Sequence, residues 1–457
     1  MAELWALGAG ELARMIAARE VSPVDVMRAT LARIDAVNGA VNAVVSLRDR
    51  EALMGEARLC EAMPAEGWLH GIPVAIKDLV ATKGLRSSSG SPLFADHVPE
   101  VDDGLARRLK AAGAIVIGKT NVPEFGLGSH STNPIFGVTR NPFDLSRTAG
   151  GSSGGAAAAL ATGMLSVADG SDMMGSLRNP AAWCDVWGFR PSVGLVPGEP
   201  GDSALLHRLA THGPMARSVS DLEALLVTLS DDVYRPIGRV PDAPRIGWLA
   251  DWGGAYPMEA GLLQAGTATL ERVAGDLGWH VEAIAPPMPA EVLWNSWVTL
   301  RSFVVSMELG APWRAPEQRA HLNPQAIWEV ERGLALTGDH VEQALAQRLG
   351  WLEVLADLFG RYDALVLPST QMWPFPAGWD WPREVASQVA DTYHRWMEVV
   401  VPASLGGVPA LALPAGYGPT GLPHGLQLIG PSGADAKVLA LGRAWEAAIG
   451  PRGCHTP

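Results

Sequence analysis

Apolar side chains recur at helical spacing early in the chain. Val26, Leu31 and Ile34 fall roughly on one face, and Ser22-Pro23-Val24-Asp25 just before them reads as a helix start. A serine N-cap accepts a free backbone N–H, proline suits the first turn, and an acid suits the positive end of the helix dipole. The opening stretch MAELWALGAGELARMIAARE also reads as an amphipathic helix. At His70 the pattern changes. Ile72 to Ile76 is a short apolar run, a buried strand, as is Ala114 to Ile117, with a helix over Leu105 to Ala112 between them. Further helices are expected over Val219 to Leu229, Gly261 to Leu277, His340 to Phe359 and Ala434 to Ile449. Strands are expected over Arg245 to Leu249, Ala364 to Leu367, Ala410 to Leu413 and Gly425 to Ile429. Residues 286–324 and the Trp/Pro-rich 373–382 fit neither period.

Strands alternating with helices predict an α/β fold with a mostly buried sheet. No repeat and no break in composition divides the chain. We therefore expect one large α/β/α domain over residues 1–457, its mixed sheet covered by helices on both faces. Its parts would be a helical section (about 1–65), a catalytic core (about 66–220) and a variable substrate-side region (about 286–400).

Composition narrows the function classes. Apolar residues make up 48% and charged residues 18% of the 457, enough for a large core. A net charge of −13 speaks against a broad basic face for nucleic acid. The three cysteines, Cys60, Cys184 and Cys454, are scattered and odd in number. That pattern suits neither a disulfide framework nor a zinc site, and suits a reducing cytoplasm. The N-terminus lacks the basic start and apolar core of a secretory leader, and no apolar run is long enough to span a membrane.

Two motif matches are formal only. Gly113 to Thr120 fits the phosphate-loop pattern GxxxxGK[ST], but its middle is Ala-Ile-Val-Ile, a strand rather than a loop whose N–H groups could surround phosphate. Gly150 to Gly155 contains GxSxG, the nucleophile elbow of α/β-hydrolases, which needs a later acid and histidine. His340, His394 and His424 are available, none in a convincing setting. A Ser-His-Asp site remains the second mechanism.

Three segments carry chemistry together. In His70-Gly-Ile-Pro-Val-Ala-Ile-Lys77-Asp78 a lysine follows an apolar strand. Burial would lower its pKa and make a neutral base of it; the alternative is a lysine turned outward at the strand end. In Arg147-Thr-Ala-Gly-Gly-Ser152-Ser153-Gly-Gly, glycines flank two serines and an alanine run follows, which a flexible linker would not do. In Asp169-Gly-Ser-Asp172-Met-Met-Gly-Ser176-Leu-Arg178-Asn-Pro, a serine sits between a small-residue turn and a helix start. N–H groups of such a turn can converge on an oxyanion; Ser176 could instead be a structural N-cap.

Together these segments resemble the amidase signature family. The resemblance rests on G-x-P-x-x-x-K-D at Lys77, GGSSGG at Ser152 and S-D-x-x-G-S-x-R-x-P-A at Ser176. It is supported by Gly118-Lys-Thr-Asn-Val-Pro-Glu124, Gly188-Phe-Arg-Pro191, Gly213 to Val219, Tyr362 to Pro368 and Gly425 to Gly430. It runs over nearly the whole chain and thins from about 286 to 400. It implies hydrolysis of a carboxylic amide to acid and ammonia or amine by a Ser-Ser-Lys set. Ser176 would form the acyl-enzyme, Lys77 would be the neutral base, and Ser152 would relay between them beside a cis-type peptide bond. Backbone N–H groups of Met173, Met174, Gly175 and Ser176 would form the oxyanion hole. Ser153, Asp172 and Arg178 would fix the loop. Gly126, Gly128 and Ser129, within Gly126 to Ser131, would line the substrate pocket, with His130 as a loop polar group. No cofactor or metal is implied. The expected partner is a small-molecule amide, with a second copy of the chain in a homodimer as the one protein partner suggested.

The chain departs from the family pattern in two places. Met174 stands where the oxyanion turn commonly has glycine, which limits φ and fills space near the acyl group. Ala149 replaces a proline before GGSSGG. One family member, the glutamine-hydrolysing subunit of a tRNA amidotransferase, holds its substrate's ammonium with an acid five residues before a proline. The matching position before Pro402 is Met397, with Glu398 one place off. A stand-alone amidase therefore ranks above that glutaminase, and a non-catalytic scaffold ranks below both because all three reactive residues are present. The seventeen tryptophans are expected mostly in the core, with Trp183 and Trp187 in an apolar strand region. An aromatic or bulky amide is the corresponding substrate hypothesis.

Overall fold

The structure of the protein, a computed structural model, describes residues 3–65, 67–198, 209–236 and 242–457. Met1 and Ala2 of the N-terminal helix reading lie outside them. Ala9–Ala17, Pro23–Val41 and Arg50–Ala62 form three helices. Ser22 caps the second, accepting from Asp25 N–H while the Asp25 carboxylate accepts from Ser22 N–H, a reciprocal capping box.

The sheet core follows the alternation read from the sequence. Eight strands run in the order His280–Ala283, Arg245–Trp248, Ala364–Pro368, Pro423–Ile429, Ala410–Tyr417, Trp187–Arg190, Thr211–Ala216 and Val167–Asp172. The first three are mutually parallel and the remaining pairings antiparallel, so the sheet is mixed. Successive side chains point to opposite faces. Ala364 and Val366 enter the apolar cluster of helices Val219–Leu229 and Asp435–Ile449. Leu365 and Leu367 enter the cluster of Trp351 and Leu355 on the other face. Helices thus cover both faces.

A smaller sheet, Val44–Val45, Ile115–Thr120 and Pro73–Lys77, adjoins the Val167–Asp172 edge. Pro73–Lys77 and Ile115–Thr120 are parallel, and parallel strands need a crossover, which contains helix Gly104–Ala111. Gly118, Lys119 and Thr120 are strand residues, so the phosphate-loop match is a core strand. The seam between the sheets is closed by Lys77 N–H donating to the Asp169 carboxylate at 3.0 Å. Helix Gly154–Ala161 lies against this seam, its alanines buried with Ala75, Ile117 and Ala168.

Several expectations need correction. Residues 286–324, unplaced by pattern, hold the 25-residue helix Ala290–Arg314 and the short Pro316–Arg319, and Pro324–Leu334 follows. Trp183 closes helix Asn179–Trp183 and does not lie in a strand; Trp187 opens the strand after it. Among the described residues no helix is long and apolar enough to cross a membrane, and Cys60, Cys184 and Cys454 are unpaired thiols.

Candidate active site

Lys77 ends its strand fully buried. Its Nζ lies 2.8 Å from Ser152 Oγ, 2.8 Å from Ser153 Oγ and 3.0 Å from Ser171 Oγ. The outward-turned alternative for this lysine is therefore not what the chain adopts. An ammonium has three protons for three hydroxyls, and a neutral amine has one lone pair to accept from one of them. Burial pushes the Lys77 pKa down to about 7, against the opposing pull of Asp169 and Asp172. Burial likewise raises Asp169 to about 6, opposed by the Lys77 N–H and by the charges of Lys119 and Lys77.

Ser152 is positioned by the glycine-rich loop between strand Asp144–Thr148 and helix Gly154–Ala161, and the Gly151–Ser152 peptide bond is cis. Ser131 Oγ accepts from Gly154 N–H at 3.0 Å and so holds the loop's far end. In the segment before Asp144–Thr148, His130 is buried; its Nδ1 is 2.7 Å from Thr148 Oγ1 and its Nε2 is 3.1 Å from Ala377 O. Burial lowers its pKa to about 4, so the ring is neutral near pH 7.

Strand Val167–Asp172 carries the third segment. Its pleat turns Asp169 and Ser171 toward Lys77 and Asp172 the other way. Asp172 organises the turn that follows. Its carboxylate accepts Gly175 N–H at 2.8 Å, Leu177 N–H at 3.2 Å, Arg178 Nε and Nη2 at 3.0 Å each, and Arg190 Nη1 at 3.2 Å. Burial opposes the Asp172 charge, but the two guanidinium groups and the Leu177 N–H outweigh it and hold the carboxyl well below its usual range. Arg178 continues the network to Ser404 Oγ at 2.8 Å and Gln427 Oε1 at 2.5 Å.

The turn itself is tightly packed. Gly175 has φ of 76°, and a Cβ there would lie 2.8 Å from Asn179 Oδ1 and 2.9 Å from Val400 Cγ2, so glycine is required. Its N–H donates to the Asp172 carboxylate. Met174 has a negative φ, the range open to any L side chain. That side chain is buried in the apolar cluster of Trp183, Met397 and Val400. The half-buried Met173 instead faces Arg301, whose Nη1 is 3.1 Å from its sulfur.

A small cleft lies beside this constellation. Gly128, Ser129 and His130 line it together with Phe375, Trp381, Tyr393 and Trp396. Lys77, Ser152 and Ser176 are not on its wall, and neither is Gly126. The Cβ position of Gly126 is 3.5 Å from Ser152 Oγ, so that residue abuts the relay serine. Ser129 Oγ reaches the Met397 sulfur at 2.8 Å, and Asn179 Nδ2 reaches the same sulfur at 3.5 Å. Glu398 turns away and pairs with Arg395 at 3.0 Å. Burial raises Glu398 to about 7 in spite of Arg395.

Sequence reasoning missed Asp169 and Ser171 as partners of Lys77, and Arg190, Ser404 and Gln427 as supports of Asp172 and Arg178. The period-2 spacing of Asp169 and Ser171 was the available signal. Of the histidines of the competing mechanism, His340 caps its own helix, its Nδ1 accepting from Thr337 N–H at 3.1 Å. His394 is enclosed by Trp294, Trp297, Trp328 and Tyr393, and His424 packs edge-on against Trp373.

The family model described as Amidase matches residues 25–439. A glutamyl-tRNA(Gln) amidotransferase subunit from Thermus thermophilus is 34% identical over 483 aligned positions, covering 96% of this chain and 97% of that protein. The acylamidase of Rhodococcus erythropolis is 32% identical over 470, covering 96% and 95%. A solved bacterial aryl acylamidase of the amidase signature family superposes with a TM-score of 0.87 at 26% identity, covering 97% of this chain and 96% of that one.

Proposed function

The chain belongs to the amidase signature family, hydrolases acting on C–N amide bonds, and we propose that it is a stand-alone amidase working through a Ser176 acyl-enzyme. The observation that carries this reading is the buried Lys77 amine, whose three hydrogen-bond partners are all hydroxyls and whose pKa is near neutrality. Neutral Lys77 takes the proton of Ser152 as Ser152 takes that of Ser176, and Ser176 Oγ adds to the amide carbon. The N–H groups of Met173, Met174 and Ser176 meet the oxyanion. Collapse breaks the C–N bond, and the proton returns through Ser152 to the leaving nitrogen. Water then adds to the ester by the same relay, releasing the acid and restoring Ser176.

The base must be neutral, so kcat/KM rises with pH through about 7, the Lys77 value. The Asp169 charge raises that value. Asp169→Asn removes the charge and is expected to move the acid limb to lower pH, read from pH–rate profiles. A limb that stays in place or moves up would contradict Lys77 as the base.

The aromatic side chains on the cleft wall support an aromatic group on the substrate. Phe375, Trp381, Tyr393 and Trp396 line the cleft, and Asp380 is its only charged residue among the described residues. Trp381→Ala is expected to raise KM for an arylamide about tenfold, with little change for acetamide, since one aromatic contact plus its buried area supplies roughly that much binding. Equal effects on both amides would contradict this assignment.

The identity to the amidotransferase subunits supports a second reading, hydrolysis of glutamine in complex with a partner. The thioether of Met397 weighs against it, because no carboxylate stands there to meet a substrate ammonium. Ammonia release from an aromatic primary amide but not from free glutamine is the outcome expected; the reverse, with a copurifying protein, would favour the amidotransferase. A scaffold without activity would have no use for an amine buried at a desolvation cost.

A further inference from the structure

His130 is a buried ring on the wall of the substrate cleft, and the reaction scheme above gives it no part. Its two nitrogens make different bonds. Ala377 O, 3.1 Å from Nε2, can only accept, so Nε2 carries the proton. The neutral ring then has Nδ1 as an acceptor, and Thr148 Oγ1, 2.7 Å away, donates to it. With its proton so directed, the Thr148 oxygen keeps its lone pairs for Gly150 N–H at 2.9 Å. Gly150 O in turn accepts Ser131 N–H at 3.0 Å. The next residue, Gly151, sits so close to the 129–131 backbone that a Cβ would lie 2.9 Å from His130 N. The residue after that is Ser152.

We propose that His130 is a positioning residue for the amidase reaction: through Thr148 it fixes the Gly150 peptide and thereby aims Ser152 at Lys77. The chain Ala377 O, His130, Thr148, Gly150 joins the cleft wall at 375–381 to the loop that carries the relay serine. The wall is anchored to the same strand independently, since Thr148 N–H donates to Phe375 O at 2.9 Å and Ala377 N–H to Ser146 O at 2.8 Å. The imidazole therefore adds orientation between parts already in contact. This inference rests on the reading of Ser176, Ser152 and Lys77 as the reacting set.

The test uses Thr148→Val, which keeps the side-chain shape and loses the hydroxyl, with Thr148→Ser, His130→Phe and the double variant Thr148→Val/His130→Phe. Rates of fluorophosphonate labelling at Ser176 and kcat per labelled site are measured, so that unfolded material does not count. Thr148→Val is expected to lower both about tenfold with KM unchanged, Thr148→Ser to restore them, and the double variant to be no slower than the slower single. A purely structural role would lower the labelled fraction and leave kcat per site intact. Full-rate Thr148→Val, or losses that multiply in the double variant, on a parent that does label, would overturn the positioning role alone. A parent that takes no label would overturn it together with the nucleophile assignment beneath it.

Discussion

Ser176→Ala is expected to lower kcat for an arylamide by about a million-fold, the scale of loss when an acyl-enzyme nucleophile is removed, while the protein keeps its fold. The two halves of this result have separate causes. The turn holding Ser176 is fixed by bonds that do not use its hydroxyl: Gly175 and Leu177 N–H donate to Asp172, and Arg178 and Asn179 N–H donate to Gly175 O. Alanine therefore leaves the turn and its N–H donors in place. What it removes is the atom that must bond to the substrate. Adding Lys77→Ala to Ser176→Ala should cost little more, because a base without its nucleophile has nothing to activate. Steady-state kinetics with circular dichroism on each variant checks both halves. Substantial activity in a folded Ser176→Ala protein would mean that another group attacks.

Asp172→Ala should give the largest loss of stability, about 3–5 kcal/mol, the usual cost of removing one partner from a buried ion pair. Here the cost has two sources. Arg178 and Arg190 are both fully buried, and each would lose its carboxylate partner. The N–H groups of Gly175 and Leu177 would lose their acceptor as well, so the turn would lose its shape and the protein its reaction with Ser176-directed probes. Urea unfolding midpoints measure the first effect. Glu331→Ala provides the contrast, since its pair with Arg319 is exposed and worth less than about 1 kcal/mol. Equal midpoints for the two variants would mean that the Asp172 cluster contributes orientation and little stability.

The legible parts of the chain were those where a local rule and the tertiary setting agree. Ser22 capped the helix it was read to cap, and Ala364 to Leu367 and Ala410 to Leu413 were buried strands because apolar residues face both layers. Helix Ala290–Arg314 escaped because its buried positions are not only apolar. Ser296 donates to Ala344 O, Arg301 pairs with Glu329, and Ser302 donates to the same Glu329. Polar residues on the inner faces erase the amphipathic stripe on which helix recognition depends. Segment 373–382 has no period because its order comes from backbone pairing with residues 146–148, a contact that lies more than 200 positions away.

The site divides in the same way. Lys77, Ser152 and Ser176 stand out as candidates because unusual residue types stand at fixed places in glycine-rich and apolar surroundings. The residues around them do not. Asp169 and Ser171 look like ordinary strand residues until a second sheet edge brings Lys77 beside them. Met397 was readable as a missing acid, but only the folded chain turns its sulfur to Ser129 and its neighbour Glu398 to Arg395. His130 stood in the sequence only as a polar group of the pocket loop, since its partners Thr148 and Ala377 are joined to it only by the fold.

The most direct test of the Ser-Ser-Lys assignment is intact mass after exposure to a fluorophosphonate probe, run on the parent, Ser176→Ala and Lys77→Ala. One adduct on the parent, none on Ser176→Ala and slowed labelling of Lys77→Ala is the predicted result. An adduct that survives in folded Ser176→Ala would contradict it and return the Ser-His-Asp mechanism to consideration.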